Sequence, residues 1–296
     1  MNNKGTQINY HLMMLPGMII LAVFSFYPML GSVIAFKKYL PAKGIWGSPW
    51  VGLDNVSYLF QISDSKIILY NTLFIAVLKM IANIIVPLAF ALLLNEARVR
   101  IIKRWVQTIV YLPHFMSWVL LSVIMLNILS LKGVVNQFLG LFGIEPILFL
   151  GSNQWFPAVL VVSDIWKEFG FAAIIYLAAL TAINPSLYEA AEIDGASRWI
   201  KLTNITLPSI LPTIVLLSTL GLGHILDAGF EQILNLYNPL VYQSGDVIDT
   251  YVYRVGLVQS QYGIASAVGL MKSVVSFVLI VISYQLAARF ANYRIF

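Results

Sequence analysis

The stretch VVSDIWKEFGF sets Asp164, Lys167 and Glu168 within five positions of an otherwise apolar run. On a helix, Asp164 shares a face with Lys167 (i, i+3) and with Glu168 (i, i+4), so ion pairing, proton handling or capture of a polar solute all lie within their chemistry. Charge at membrane depth costs about 2.5–3.5 kcal/mol per residue on insertion scales, so such groups face a cavity or one another. Two readings stand open. In the first, slightly favoured, Asp164 and Lys167 pair to tie two helices together near the outer leaflet. In the second, the cluster and Trp166 line a path for a polar solute. Lys79, deep in another apolar run, calls for a cavity or a partner, whereas Lys272 can snorkel outward. His224 and Asp227 stand beside Gly221, Gly223 and Gly229; His224 suits the wall of the same path, but two polar groups make no metal or proton site.

Catalysis finds little footing in these residues. Without cysteine there is no disulfide, thiolate metal site or Cys nucleophile. The sequence also lacks H-E-x-x-H and G-x-S-x-G, so an intramembrane enzyme ranks last among the function classes. Nor is there a G-x-x-x-x-G-K-[ST] loop to cradle ATP phosphates.

A second chemistry-bearing stretch is EAAEIDGASRWIKLTNITLPSILP, residues 189–212, where three acids, an Arg and a Lys gather in a greasy chain. Asn184-Pro185 ends the preceding apolar run, because a residue before proline avoids the α region. Ser186 with Glu189 forms S-x-x-E, which predicts a capping box and a helix starting there. Asp194-Gly195 predicts a turn with Gly at positive φ. A second short helix is expected at about Ala196–Asn204, before Leu207-Pro208 re-enters the membrane. One side of this helix–turn–helix is small (Ala190, Ala191, Ala196). The other shows Trp199, Ile200 and Leu202 ringed by Arg198 and Lys201, an apolar anchor in a polar rim. Docking against a partner and resting on lipid headgroups both fit that anatomy.

The elements that must hold these residues follow from composition. Of 296 residues, 59% are hydrophobic and 10% charged, against about 25% charged in soluble domains. The chain is therefore expected to be an all-α integral membrane protein. Six runs reach the roughly 20 apolar residues a crossing needs: about Leu12–Phe36, Ile67–Leu94, Val106–Leu131, Trp155–Ile183, Leu207–Leu226 and Ala267–Phe290. The first is too long for a signal-peptide core and lacks a small-x-small cleavage site, so it counts as a helix. Arg98, Arg100, Lys103 and Arg104, then Arg198 and Lys201, then Arg289 and Arg294 fall on one side, which places both termini in the cytoplasm by the positive-inside rule. Lys37, Lys38, Lys43, Lys66, Lys132 and Arg254 lie on the other side in longer loops, and Lys37 and Lys38 fit the rule poorly. The net charge of +5 reflects topology rather than nucleic-acid binding. Residues 184–206 thus form a cytoplasmic hairpin, with outer loops at 37–66 and 227–266.

The hairpin resembles the EAA–G signature of permease subunits of binding-protein-dependent ABC importers, through Glu189, Ala190, Ala191, Asp194, Gly195, Ala196, Ile205, Leu207 and Pro208. Further likeness, through WVGLDNVSYLF, NTLFIAVLKM, YLPHFMSWV, YLAALTAINPSLYEAA and DTYVYRVGLVQSQYGIASAVGLMKSVV, is to the maltose-type carbohydrate-uptake branch and its polysaccharide and oligosaccharide importers. Leu202 departs from the pattern, where many relatives have Phe, which makes Trp199 the candidate aromatic knob. The resemblance implies a single six-helix permease of the type I importer fold in a bacterial inner membrane. Its hairpin would seat in one of two ATPase subunits, which hold the ATP and Mg. A second, different permease chain would complete the pore, and an extracellular solute-binding protein would deliver an oligosaccharide. Several intramembrane cations (Lys79, Lys167, Lys272) would suit an acidic sugar or serve structure alone. The runner-up is an ion-coupled secondary carrier built on Asp164, Lys167 and Glu168.

Overall fold

A computed structural model describes residues 4–62, 64–97, 99–223 and 225–290, and among them every regular element is helical. Four helices are long and apolar enough to cross a membrane: α1 (Tyr10–Phe36), α2 (Asp64–Glu96), α7 (Arg198–Leu222) and the final helix, which runs Tyr262–Phe290. Two bent pairs would bring the crossings to six.

The first bent pair covers the run expected at Val106–Leu131, which is broken within its length and is not one straight helix. Helix α3 (Arg100–Tyr111) and α4 (Trp118–Ile128) meet at 107°. The cause is local. Pro113 lacks a backbone N–H, the chain tightens into a 3₁₀ turn over Leu112–Phe115, and Ser117 restarts the helix by accepting from Leu120 N at 3.3 Å. In the second pair, α5 (Phe156–Thr181) turns by 66° into α6 (Pro185–Ile193).

The chain folds as two compact units, one built from the described residues up to Ser65 with Tyr251–Lys272, the other from Lys66–Thr250 with Ser273 onward. In the first unit, α1 is exposed along nearly its whole length, as a helix meeting lipid would be, and Ala35 is its buried residue. Beyond it, an antiparallel bridge joins Lys37 to Trp50, and the Lys37 ammonium donates to Ile45 O at 2.8 Å between the rings of Trp46 and Trp50. Asn55 fastens this turn by donating to Ala35 O (2.8 Å) and Lys37 O (3.1 Å). These contacts give an otherwise awkward Lys37 a stable place.

The second unit carries two apolar cores. Ile75 and Ala76 of α2 pack with Phe156, Val159 and Leu160 of α5 and with Ala228, Ile233, Leu236 and Val241 of the chain after α7. Toward the other ends of the same helices, Ala91 and Leu94 pack with Ala173, Tyr176, Leu177, Leu180 and with Ile210 of α7. Residues 227–250 thus fold back toward the core as short helices, beginning with α8 (Phe230–Leu236). Polar side chains pin that return. Asn71 donates to Gln243 O (3.0 Å) and Asp246 O (3.2 Å), and Thr72 Oγ1 accepts from Ile248 N at 2.9 Å. Gly170 lets α5 touch α3 closely, since a Cβ there would lie 2.5 Å from Val110 O; small residues serve this purpose in membrane bundles.

Candidate functional site

The hairpin is built from the end of α6 and the start of α7. Its cap differs from expectation: Asn184, not Ser186, caps α6, accepting from Ser186 N at 3.1 Å with Pro185 in the first turn. Proline's fixed φ favours that first position, which shifts the start two residues upstream of a Ser186-capped box. The turn is a Schellman motif. Gly195 has φ +73, its N–H donates to Glu192 O (3.1 Å), and Ala196 N donates to Ala191 O (2.8 Å). The second leg is no separate helix over Ala196–Asn204. Ser197 caps it, accepting from Ile200 N at 3.4 Å, and it runs through a π-helical stretch at Leu202–Thr206 straight into α7. Beyond the π stretch the helix continues through Pro208 and Pro212 to Leu222.

Two clamps lock the legs together. Lys201 Nζ stands 2.7 Å from Glu192 Oε1, and the Tyr188 hydroxyl shares a hydrogen bond with Thr206 Oγ1 at 2.9 Å. The Lys201 hydrogen bond, then its charge, holds the Glu192 carboxyl below the usual range. Glu189, Ala190, Asp194 and Gly195 are exposed, Ala191, Ala196 and Leu202 half-buried. Trp199 is 70% exposed, and Ile193, which the sequence did not single out, is 87% exposed. The apolar knob therefore comprises Ile193 and Trp199, one on each side of the glycine turn, with Leu202 turned partly inward.

The charged cluster of α5 divides in two, and Asp164 does not pair with Lys167. Asp164 reaches α2, where Lys79 lies at 3.2 Å and Asn83 donates to it at 2.9 Å. Lys79 also donates to Ala228 O (2.7 Å) and to Gln232 Oε1, so the three protons of its ammonium meet three acceptors. Gln232 in turn donates to Leu160 O (2.8 Å) and Ser163 Oγ (2.7 Å). This network binds α2, α5 and α8 at one buried point. A charge one helical turn from an opposite charge was the available signal in sequence; a partner on another helix was not.

Lys167 and Glu168 form the second cluster with the α3–α4 bend. Lys167 donates to His114 O (2.9 Å) and pairs with Glu168 (3.0 Å), while Glu168 meets His114 Nδ1 at 2.7 Å. The His114 ring stacks on Phe171 at 4.0 Å, and Lys167 Nζ lies 5.8 Å from the Trp118 ring. Half-exposed carboxylate, imidazole and aromatic faces thus gather on one wall. Trp166 is exposed on another face of α5, outside this cluster. His224 lies outside the described residues. Among the described residues no group of His, Asp and Glu suits a metal.

Beside the Lys79–Asp164 pair lies a cavity of about 390 Å³, lined among others by Asn83, Tyr176, Leu217, Asp227 and Gly229.

Residues 83–292 match the family described as binding-protein-dependent transport system inner membrane component. The chain belongs to that family. It is a transmembrane permease component, and the ion-coupled carrier is set aside. Among relatives, it is 42% identical to the polygalacturonan/rhamnogalacturonan transport system permease protein YteP of Bacillus subtilis, over 97% of this chain and 89% of that one. Protein LplB of the same organism is 40% identical over 97% of this chain and 90% of its own. Among solved structures, a bacterial ABC transporter involved in import of the acidic polysaccharide alginate matches with a TM-score of 0.89 and 41% identity over 97% of both chains. The alginate transporter in complex with its pentasaccharide-bound periplasmic protein matches at 0.88 and 41% identity, over 97% and 96%. The permease therefore has the type I ABC importer fold.

Proposed function

We propose that this permease imports an acidic oligosaccharide, delivered by an extracellular binding protein and driven by two separate ATPase subunits. The observation that carries it is the hairpin. Ile193 and Trp199 are exposed at the tip of a turn fixed by Gly195 and two clamps, a rigid apolar anchor with charged neighbours. Such an anchor suits the cleft of an ATPase, with ATP and Mg held there and not in this chain. The positive-inside distribution supports a cytoplasmic hairpin and cytoplasmic termini, with residues 37–66 and 227–266 facing outward. A second, different permease chain completes the pathway.

Relatives named for polygalacturonan, rhamnogalacturonan and alginate support an acidic sugar. The wall of His114, Phe171 and Glu168, held by the buried Lys167 beside Trp118, fits contact with such a chain, because sugar rings lie on aromatic faces while hydroxyls meet the carboxylate.

The test is reconstitution of the permease with its companion permease, ATPases and binding protein in vesicles. Uptake of uronate oligosaccharide that needs ATP and ignores an uncoupler is expected. Uptake by the permease alone, abolished by the uncoupler, would refute the proposal.

A further inference from the structure

The turn that follows α1 carries two indoles that the fold holds outward. Trp46 is 81% and Trp50 65% exposed, yet the backbone beneath them is fixed. Lys37 bridges to Trp50, and the buried Ser48 hydroxyl accepts from Leu40 N at 2.9 Å and donates to Gly44 O at 2.6 Å. A framework of this kind does not bury its aromatic surface; it presents it.

Two membrane crossings set the level of the turn. Helix α1 ends at Phe36, and the final helix begins at Tyr262. The two ends meet here. A Cβ on Gly263 would lie 2.7 Å from Lys37 O, Asn55 donates to that same oxygen at 3.1 Å, and the Tyr39 and Tyr262 rings meet edge to face at 5.6 Å. The level of Phe36 and Tyr262 is therefore the edge of the hydrocarbon on this face of the membrane. Trp50 stacks on Phe36 at 5.8 Å, and Lys37 Nζ lies 5.8 Å from the Trp46 ring, so both indoles stand at that edge. Indoles favour this depth, where the ring meets lipid and its N–H meets water.

Charge narrows the partner. Residues 37–53 hold three lysines and no Asp or Glu. Lys37 is buried and donates to Ile45 O, whereas Lys38 and Lys43 are exposed. The apolar exposed surface of α1 runs directly into this cationic, aromatic turn. Anionic headgroups complement both properties at once.

We infer that residues 37–53 form a lipid ledge, with Trp46 and Trp50 seated at the membrane edge and Lys38 and Lys43 binding an anionic phospholipid headgroup. The test uses the assembled transporter in vesicles, with Trp46→Phe and Trp50→Phe made singly. The emission lost from each variant relative to the parent is the signal of that indole. Vesicles of phosphatidylcholine with a minor share of phosphatidylglycerol carry bromine high on the acyl chains of one lipid or the other, at equal bromine content. Each lost signal is expected to be quenched strongly by brominated lipid and weakly by aqueous iodide. Brominated phosphatidylglycerol should quench about threefold more than brominated phosphatidylcholine, an enrichment within reach of two lysines at the surface. Lys38→Gln with Lys43→Gln should bring the two lipids to parity, as should high salt with the parent. Trp46, the more exposed, reads the ledge alone should Trp50→Phe fail to assemble.

Signals quenched by iodide and untouched by brominated lipid overturn the ledge; if the binding protein then blocks the iodide, the turn is a protein-docking face. Resistance to both quenchers, as for indoles covered by the companion permease, overturns it as well. Equal quenching by the two lipids in the parent overturns the anionic headgroup.

Discussion

Lys201 of the second hairpin leg is bonded to Glu192 of the first at 2.7 Å, across the glycine turn that joins them. Glu192 is largely exposed, so solvent screens the pair and its worth is small. Its folded pKa is depressed. The contribution is therefore present above the ordinary Glu value of 4.5 and lost as pH falls through the lowered folded value. ATP-driven uptake by Glu192→Gln is thus expected to fall less than twofold, by the same factor at pH 6 and pH 8. A deficit that appears only at one of these pH values would contradict this assignment.

Gly195 is conformational, not steric. An added Cβ meets nothing within 4 Å, but φ is +73. The left-handed region costs an ordinary L-residue about 1–2 kcal/mol and Asn less. Gly195→Val should lower co-purification with the ATPase several-fold, while Gly195→Asn retains most of it.

The exposed knob should matter for docking and not for folding. Trp199→Ala and Ile193→Asp remove side chains that bury little within this chain. Anchors of this kind carry about 2 kcal/mol or more of binding. Each substitution is expected to leave the thermal midpoint of the isolated permease within about 2 °C and to weaken ATPase association about thirtyfold, measured by titration in detergent.

Lys79 is expected to behave as a buried partner. Lys79→Met leaves Asp164 with Asn83 alone and strands the Gln232 Oε1 acceptor, and breaking a buried pair on one side costs about 3–5 kcal/mol. Replacing both, Lys79→Met with Asp164→Leu, should recover much of the lost thermal stability. A double variant no better than the single one would show that the pair is not the source.

Gly170 tests the α3–α5 contact. Its Cβ would sit 2.5 Å from Val110 O, a backbone atom with little room to retreat. Gly170→Ala should destabilise by about 1–3 kcal/mol, the usual cost of overpacking, read as a lower midpoint in detergent.

The sequence was most informative where a local rule leaves one solution. Long apolar runs gave helices, and Asp194-Gly195 gave a left-handed turn, because neither depends on a distant partner. Where two local rules compete, reading along the chain failed. Pro185 at the first helical position overrode the Ser186–Glu189 box, and Pro113 divided an apolar run whose hydropathy was unbroken. The pairing of Asp164 with Lys79 instead of Lys167 was out of reach for a different reason. The two are 85 positions apart, and only the packing of α2 on α5 brings them together. Asn83, Tyr176, His114 and Gln232 were missed likewise, since a single polar residue in an apolar segment has no meaning until its neighbours are known.

The 66° joint at Ala182–Asn184 has a mechanical meaning. Helix α5 runs without interruption from the Asp164–Glu168 turn to Thr181, about 20 Å at 1.5 Å per residue, and then bends into the first leg of the hairpin. With no proline along that shaft, a push delivered at the joint would be carried along unbroken helix as far as the carboxylate-bearing turn.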